Sequence, residues 1–156
     1  MFNRILQNLL SIGADETDTE SLRLKKSSLL IVPLIIGPLA FIWGMIYIYL
    51  DHYLSASIPL SYFVISAFNL WHMHQTKNIN VLYSIQMTLV LILPFLLMWS
   101  LGGFAASSFV FIWAFFAPIA ALTYEDDKRV SYWFYGFIAL LLFSTIIDTT
   151  IEKIHV

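Results

Sequence analysis

Four stretches of this chain contain no Asp, Glu, Lys or Arg: residues 27–50, 52–76, 78–124 and 130–147. A helix must carry roughly 20 mostly apolar residues to cross the ~30 Å hydrocarbon core of a bilayer. Three of the stretches suit one crossing each. The third in order, 78–124, is long enough for two, and Gly102 and Gly103 divide it. The sequence therefore predicts five spans, at about 28–50, 55–73, 79–99, 104–124 and 130–148. Lipid cannot bond an open backbone N–H or C=O, so the spans are expected to be helices. The expected fold is an all-α integral membrane protein, with a five-helix transmembrane module over 27–148. A 1–26 segment precedes it and a 149–156 tail follows.

Composition agrees and excludes several functions. Hydrophobic residues make up 60% of the chain and charged ones 12%, against about 25% charged in ordinary globular chains. A net charge of −2 gives no basis for nucleic-acid binding. The absence of cysteine removes disulfides, thiolate metal sites and thiol nucleophiles.

The basic residues set an orientation. Arg4, Arg23, Lys25 and Lys26 precede the first span, Lys77 lies between the second and third, and Lys128 and Arg129 lie between the fourth and fifth. With a cytoplasmic amino terminus, all seven fall on the cytoplasmic side and only Lys153 falls outside. An odd number of crossings then puts Val156 outside. Tyr47, Tyr49, Tyr53 and Trp99 mark expected outer ends; Trp71, Tyr124, Tyr132 and Trp133 mark inner ones.

At the start, Phe2, Ile5, Leu6, Leu9 and Leu10 share one helical face, with Gly13 suited to end the helix. Arg4 and three amides interrupt the apolar run, which is unlike a signal peptide. This amphipathic helix would lie on the inner membrane surface or bind a partner. The acidic ADETDTE that follows reads as a solvated linker, and the basic SLRLKK as the part that meets headgroups.

Candidate chemistry is sparse. No carboxylate falls deep in a span, which argues against a proton-coupled pump. His72 and His74 form an H-x-H pair, but residues two apart on a helix diverge by about 200°, so one metal would need an unwound end. No nucleophile–base pairing, P-loop, dinucleotide fingerprint or zinc-binding helix occurs. No cofactor is expected. Ser66, Asn69, Ser84, Gln86, Thr88 and Ser144 are candidates for hydrogen bonds between helices, or for lining a small pocket.

The remaining signal is the stretch LGGFAASSFVFIWAFFAPIAAL. Gly103 with Ser107, and Ala117 with Ala121, are small residues four apart, a spacing that lets helices approach closely. Pro118 cannot bond the carbonyl of Ala114 and should kink the helix. The fourth span is thus expected to pack centrally, either within the chain or against a second copy. Gly102, Gly103, Ser107, Ser108, Ala117, Pro118 and Ala121 are the packing or signalling candidates.

Two segments carry a family resemblance. IGADETDTESLRLKKSSLLIV resembles the entry to the amino-terminal membrane domain of bacterial class III adenylate/guanylate cyclases. LPFLLMWSLGGFAASSFVFIWAFFAPIAALTY is similar to that domain's fourth helix, through Gly102, Gly103, Phe104, Ser107, Ser108, Trp113, Ala114, Ala117, Pro118, Ala121 and Leu122. The resemblance implies six helices in the bacterial cytoplasmic membrane that dimerise and regulate a cytoplasmic cyclase domain on the same chain. Five spans are found here, and no positions match the catalytic residues of such enzymes. The expectation is a non-catalytic anchor or sensor module, a piece of a longer receptor-type cyclase ending before its sixth helix. The alternative is a stand-alone small membrane protein, such as a transporter subunit or an assembly factor.

Overall fold

The computed structural model describes residues 17–124 and 127–154, except the side chains of 127 and 149–154. The expected amphipathic helix over the first 13 residues lies outside that range. Five α-helices follow in order: α1 Glu20–Tyr49, α2 Tyr53–Thr76, α3 Ile79–Ser100, α4 Phe116–Tyr124 and α5 Asp127–Ile154, with a 3-10 helix at Val110–Phe115 leading into α4. Four stretches, Glu20–Tyr49, Tyr53–Thr76, Ile79–Ser100 and Lys128–Asp148, are long and apolar enough to cross a membrane.

Local chemistry sets the helix ends. The Thr19 hydroxyl accepts the Leu22 N–H and caps α1, which begins eight residues before the expected span. Lys77 takes a left-handed conformation, φ 54°, and its N–H donates to the Met73 carbonyl at 2.8 Å, closing α2. Asn78 then accepts the Asn80 N–H at 3.0 Å and opens α3. Two residues therefore suffice to reverse the chain. α5 continues through Ile154, past the expected end at 148.

The seams between helices repeat every three or four residues. In α1 the buried face includes Leu30, Pro33, Gly37, Ala40 and Gly44; in α2 it includes Ala56, Pro59, Tyr62, Ser66, Asn69 and Met73. That rhythm belongs to helices crossing at a shallow angle, with side chains interleaved along a common stripe. α3 is central, touching every other helix. Around it lie two clusters: Leu29, Leu30, Met73, Leu82, Tyr83 and Met87 near the α2–α3 turn, and Leu91, Phe95, Met98, Val110, Ala114, Ala117 and Phe137 toward the other end. Ile35, Leu39, Ile42, Leu54, Val64, Phe68, Leu122 and Leu142 point outward and are exposed. An apolar exterior around a packed, partly polar seam is what a lipid solvent favours.

The fourth segment departs from the expected continuous helix over 104–124. Residues 101–109 are turns, the 3-10 helix takes the next six residues, and only Phe116–Tyr124 is α-helical. Gly102 and Gly103 have φ of 97° and 107°, and Ser108 and Phe109 have φ of 53° and 58°. Such angles cannot propagate a right-handed helix. Pro118 falls in the first turn of α4, where its missing N–H interrupts no established ladder, so it helps start the α-helix instead of kinking one. Even so, the segment runs antiparallel to α3: Phe111 stacks 5.9 Å from Phe95, and Tyr124 lies 5.5 Å from Tyr83.

Candidate functional site

The break in the fourth segment is held by a residue far away in sequence. The Phe104 N–H donates to Asp148 Oδ1 at 3.0 Å, from the turn to the residue that closes the apolar stretch of α5. Gly103 makes this possible twice over. Its φ favours glycine, and a Cβ there would occupy the position of the Asp148 carboxylate, with Cγ at 3.2 Å. One turn earlier on α5, buried Ser144 accepts the Trp99 indole N–H at 3.0 Å. Two polar contacts thus tie α5 to the α3 end and the turn that follows it.

Within the turn, Ser107 is buried, and its hydroxyl donates to the Phe104 carbonyl at 3.1 Å. The Phe109 N–H bonds the same carbonyl at 3.0 Å. These bonds hold Ser108 and Phe109 in left-handed backbone, a strain of about 1 kcal/mol or more for each non-glycine residue. Phe104, Phe109 and Phe111 close around the turn edge to face, with centroids 5.2 and 6.3 Å apart.

The candidates chosen from sequence therefore separate into two groups. Gly102, Gly103, Ser107 and Ser108 form the turn; Gly103 and Ser107 do not share a helix face. Ala117, Pro118 and Ala121 lie on α4 and are buried within the chain. Ala117 packs in the cluster with Leu91 and Phe95, so the small face of α4 meets α3 rather than open lipid. In the sequence Asp148 is only the charge that closes the stretch 130–147. Its partner is 44 positions away, and no local pattern announces that pairing.

Other polar side chains join α2 to α3. The Tyr62 hydroxyl donates to Gln86 Oε1 at 3.0 Å, and Gln86 Nε2 donates to Ser66 Oγ at 3.1 Å. Asn69 Nδ2 donates to the Leu82 carbonyl at 3.2 Å, and Ser100 Oγ donates to Ser55 Oγ at 3.0 Å. Interhelical bonding is thus realised for Ser66, Asn69, Gln86 and Ser144, whereas Thr88 bonds the Ser84 carbonyl of its own helix. In the acidic linker, Thr17, Thr19 and Glu20 are exposed as expected, but Asp18 is not solvated. Asp18 is nearly buried and receives the Lys26 ammonium on both oxygens, at 2.7 and 2.9 Å. Side chains on a helix tilt toward its amino terminus, so Lys26 reaches down along α1 to meet it.

An apolar groove lies between α4 and α5, lined by Phe115, Pro118, Ile119, Leu122, Phe134 and Tyr135, among others. Among the described residues, no three His, Cys, Asp or Glu side chains come together as metal ligands. Comparison with protein-family models, curated proteins and solved structures finds no match. The arrangement supports helix coupling: a strained turn, a buried polar seam between α2 and α3, and a carboxylate that fastens α5 to the turn.

Proposed function

We propose that this chain is the non-catalytic membrane module of a bacterial receptor-type class III adenylate/guanylate cyclase, anchoring and regulating a cytoplasmic catalytic domain. The supporting observation is the Phe104–Asp148 hydrogen bond. The GGF..SS portion of the family-like pattern coincides with the strained turn, and that turn is fastened to α5. α5 is also the least enclosed of the long helices, with 11% of its span buried against 33–44% for the others. A weakly packed helix held at one end by polar bonds can shift as a unit. A change of 1.4 kcal/mol between two helix arrangements alters their ratio about tenfold.

In this reading the module crosses the cytoplasmic membrane five times, with Val110–Tyr124 as the fourth crossing and the amino terminus inside. It works as a homodimer, and a sixth helix leads to the cyclase domain. The dimer contact uses lipid-exposed surface, because Ala117 and Ala121 are fully buried against their own chain.

The gene sequence beyond the Val156 codon is the first test. An open frame through another apolar stretch into a cyclase domain supports the proposal, and an immediate stop codon favours the stand-alone membrane protein. In the full-length protein, Asp148→Ala should change cyclic-nucleotide production per membrane-inserted molecule, with Ile146→Leu as the control on exposed surface. Orientation is tested by cysteine labelling in intact cells. His52→Cys should react with an impermeant reagent and Thr76→Cys should not; both positions are exposed on the chain. The reverse pattern overturns the topology.

A further inference from the structure

Asn69 of α2 and Gln86 of α3 carry amide side chains into the interior of the bundle, with exposures of 1% and 0%. Each lies about two turns from the α2–α3 connection, so their depths match. A side-chain amide can donate two hydrogens and accept on its oxygen. Gln86 Oε1 accepts from the Tyr62 hydroxyl, and Gln86 Nε2 gives one hydrogen to Ser66 Oγ at 3.1 Å. Asn69 Nδ2 donates to the Leu82 carbonyl at 3.2 Å. Asn69 Oδ1 has no hydrogen-bond partner among the described residues. One buried acceptor on Asn69 and the second N–H of Gln86 are therefore left over on the same seam.

We propose that the α2–α3 seam binds one water molecule, which accepts from Gln86 Nε2 and donates to Asn69 Oδ1. Spacing supports a bridge. Ser66 and Asn69 are one turn apart on α2, and Leu82 and Gln86 one turn apart on α3, which sets the Asn69–Leu82 and Ser66–Gln86 contacts about 5–6 Å apart along the seam. That is too far for a direct bond of about 3 Å between the two amides, and it is the reach of a single molecule bonded to both. A polar atom in an apolar interior, with lipid outside it, keeps a partner because going without one costs more than immobilising a water.

The chemistry of the pair selects the occupant. It must accept at one end and donate at the other, and water does both. A metal cation would face the Gln86 N–H, and an anion would face the Asn69 oxygen, so neither suits the pair. Met73 and Leu82 are fully buried in the adjoining cluster, and a larger polar molecule could not enter without repacking it. The bridge would join the Tyr62–Gln86–Ser66 bonds to the Asn69–Leu82 bond as one polar line between the helices. It belongs to the seam itself and depends neither on the orientation nor on a cyclase domain.

The test is proton-detected solid-state NMR on the full chain in lipid bilayers, with isotope-labelled Asn and Gln. Magnetisation is passed from water to the side-chain amides, and an aqueous gadolinium chelate suppresses contact with bulk water. Gln75, Asn78 and Asn80 are exposed and should lose their water signal when the chelate is added. The Asn69 and Gln86 amides should keep theirs. Asn69→Leu replaces the acceptor with an apolar side chain of similar size, and Asn69→Val does the same should the leucine form fail to fold. In either variant the water contact of Gln86 should be lost, while slow hydrogen exchange shows that its bond to Ser66 persists. Absence of water contact at both amides in the wild type overturns the site. So does a direct contact between the two amides, which would leave no gap to bridge. A Gln86 water contact that survives Asn69→Leu places the water elsewhere, which also overturns it.

Discussion

Gly44 of α1 and Leu60 of α2 meet so closely that a Cβ added to Gly44 would lie 2.6 Å from Leu60 Cγ and 3.3 Å from the Ala56 carbonyl oxygen. At Gly37, two turns earlier on the same face, a Cβ would rest 3.8 Å from Phe63 Cδ2, an ordinary contact. The α1–α2 seam is tight at one end and relaxed toward its middle.

Gly44→Ala should therefore destabilise the protein by about 1–3 kcal/mol, the usual cost of overpacking. Gly37→Ala should be neutral or stabilise by a few tenths to about 1 kcal/mol, because alanine loses less backbone freedom in a helix. Equilibrium unfolding in mixed micelles measures both. Equal effects would show that the close approach at Gly44 does not limit packing.

This contrast also shows what the sequence reveals. Charge-free stretches marked four helices to within a few residues at most ends, because only apolar residues tolerate lipid. Gly37, Ala40 and Gly44 have the three-four spacing of a close seam, but the small residues after Gly102 are denser and mask that weaker pattern in the sequence. Hydropathy reports what lipid accepts, not the path of the backbone. The fourth helix breaks where Asp148 reaches the turn, and that depends on a pairing 44 positions apart. The helix beyond 148 was equally hidden, since nothing apolar requires it.

The buried bonds from Gln86 to Tyr62 and Ser66 predict coupled mutations. Gln86→Leu takes away the acceptor of Tyr62 and a donor to Ser66, whereas Tyr62→Phe with Gln86→Leu removes the Tyr62 donor and its acceptor together. A double-mutant cycle should give a coupling of about 0.6 kcal/mol, and at most ~1.7, the range found between membrane helices. A coupling of zero would mean that the two side chains do not bond in the folded protein.

The Asp18–Lys26 pair is nearly buried, with side-chain exposures of 7% and 6%. Removing one partner takes the direct counter-charge from the other, at a cost of up to about 3 kcal/mol, reduced here because a lysine stem can reach the interface. Asp18→Asn and Lys26→Met should each lower stability. The double variant should recover much of the loss, since it leaves no uncompensated charge. If the double variant is as unstable as the sum of the singles, the pair acts through separate contacts.

Gly102 and Gly103 separate backbone strain from the Asp148 contact. Both have φ near 100°, so alanine at either site meets the same conformational penalty, about 1 kcal/mol or more. Only at Gly103 does the new methyl also displace the Asp148 carboxylate and break its bond to the Phe104 N–H. A hydrogen bond to a charged group contributes about 1.5–3 kcal/mol, so Gly103→Ala should cost more than Gly102→Ala by roughly that amount. The difference should vanish in an Asp148→Ala background, where no carboxylate remains to displace. Unfolding free energies of the two glycine variants, with and without Asp148→Ala, complete the comparison. Equal costs in the wild-type background would place the penalty in the backbone alone. A difference that survives Asp148→Ala would instead assign it to another neighbour of Gly103, and the carboxylate would no longer account for the glycine.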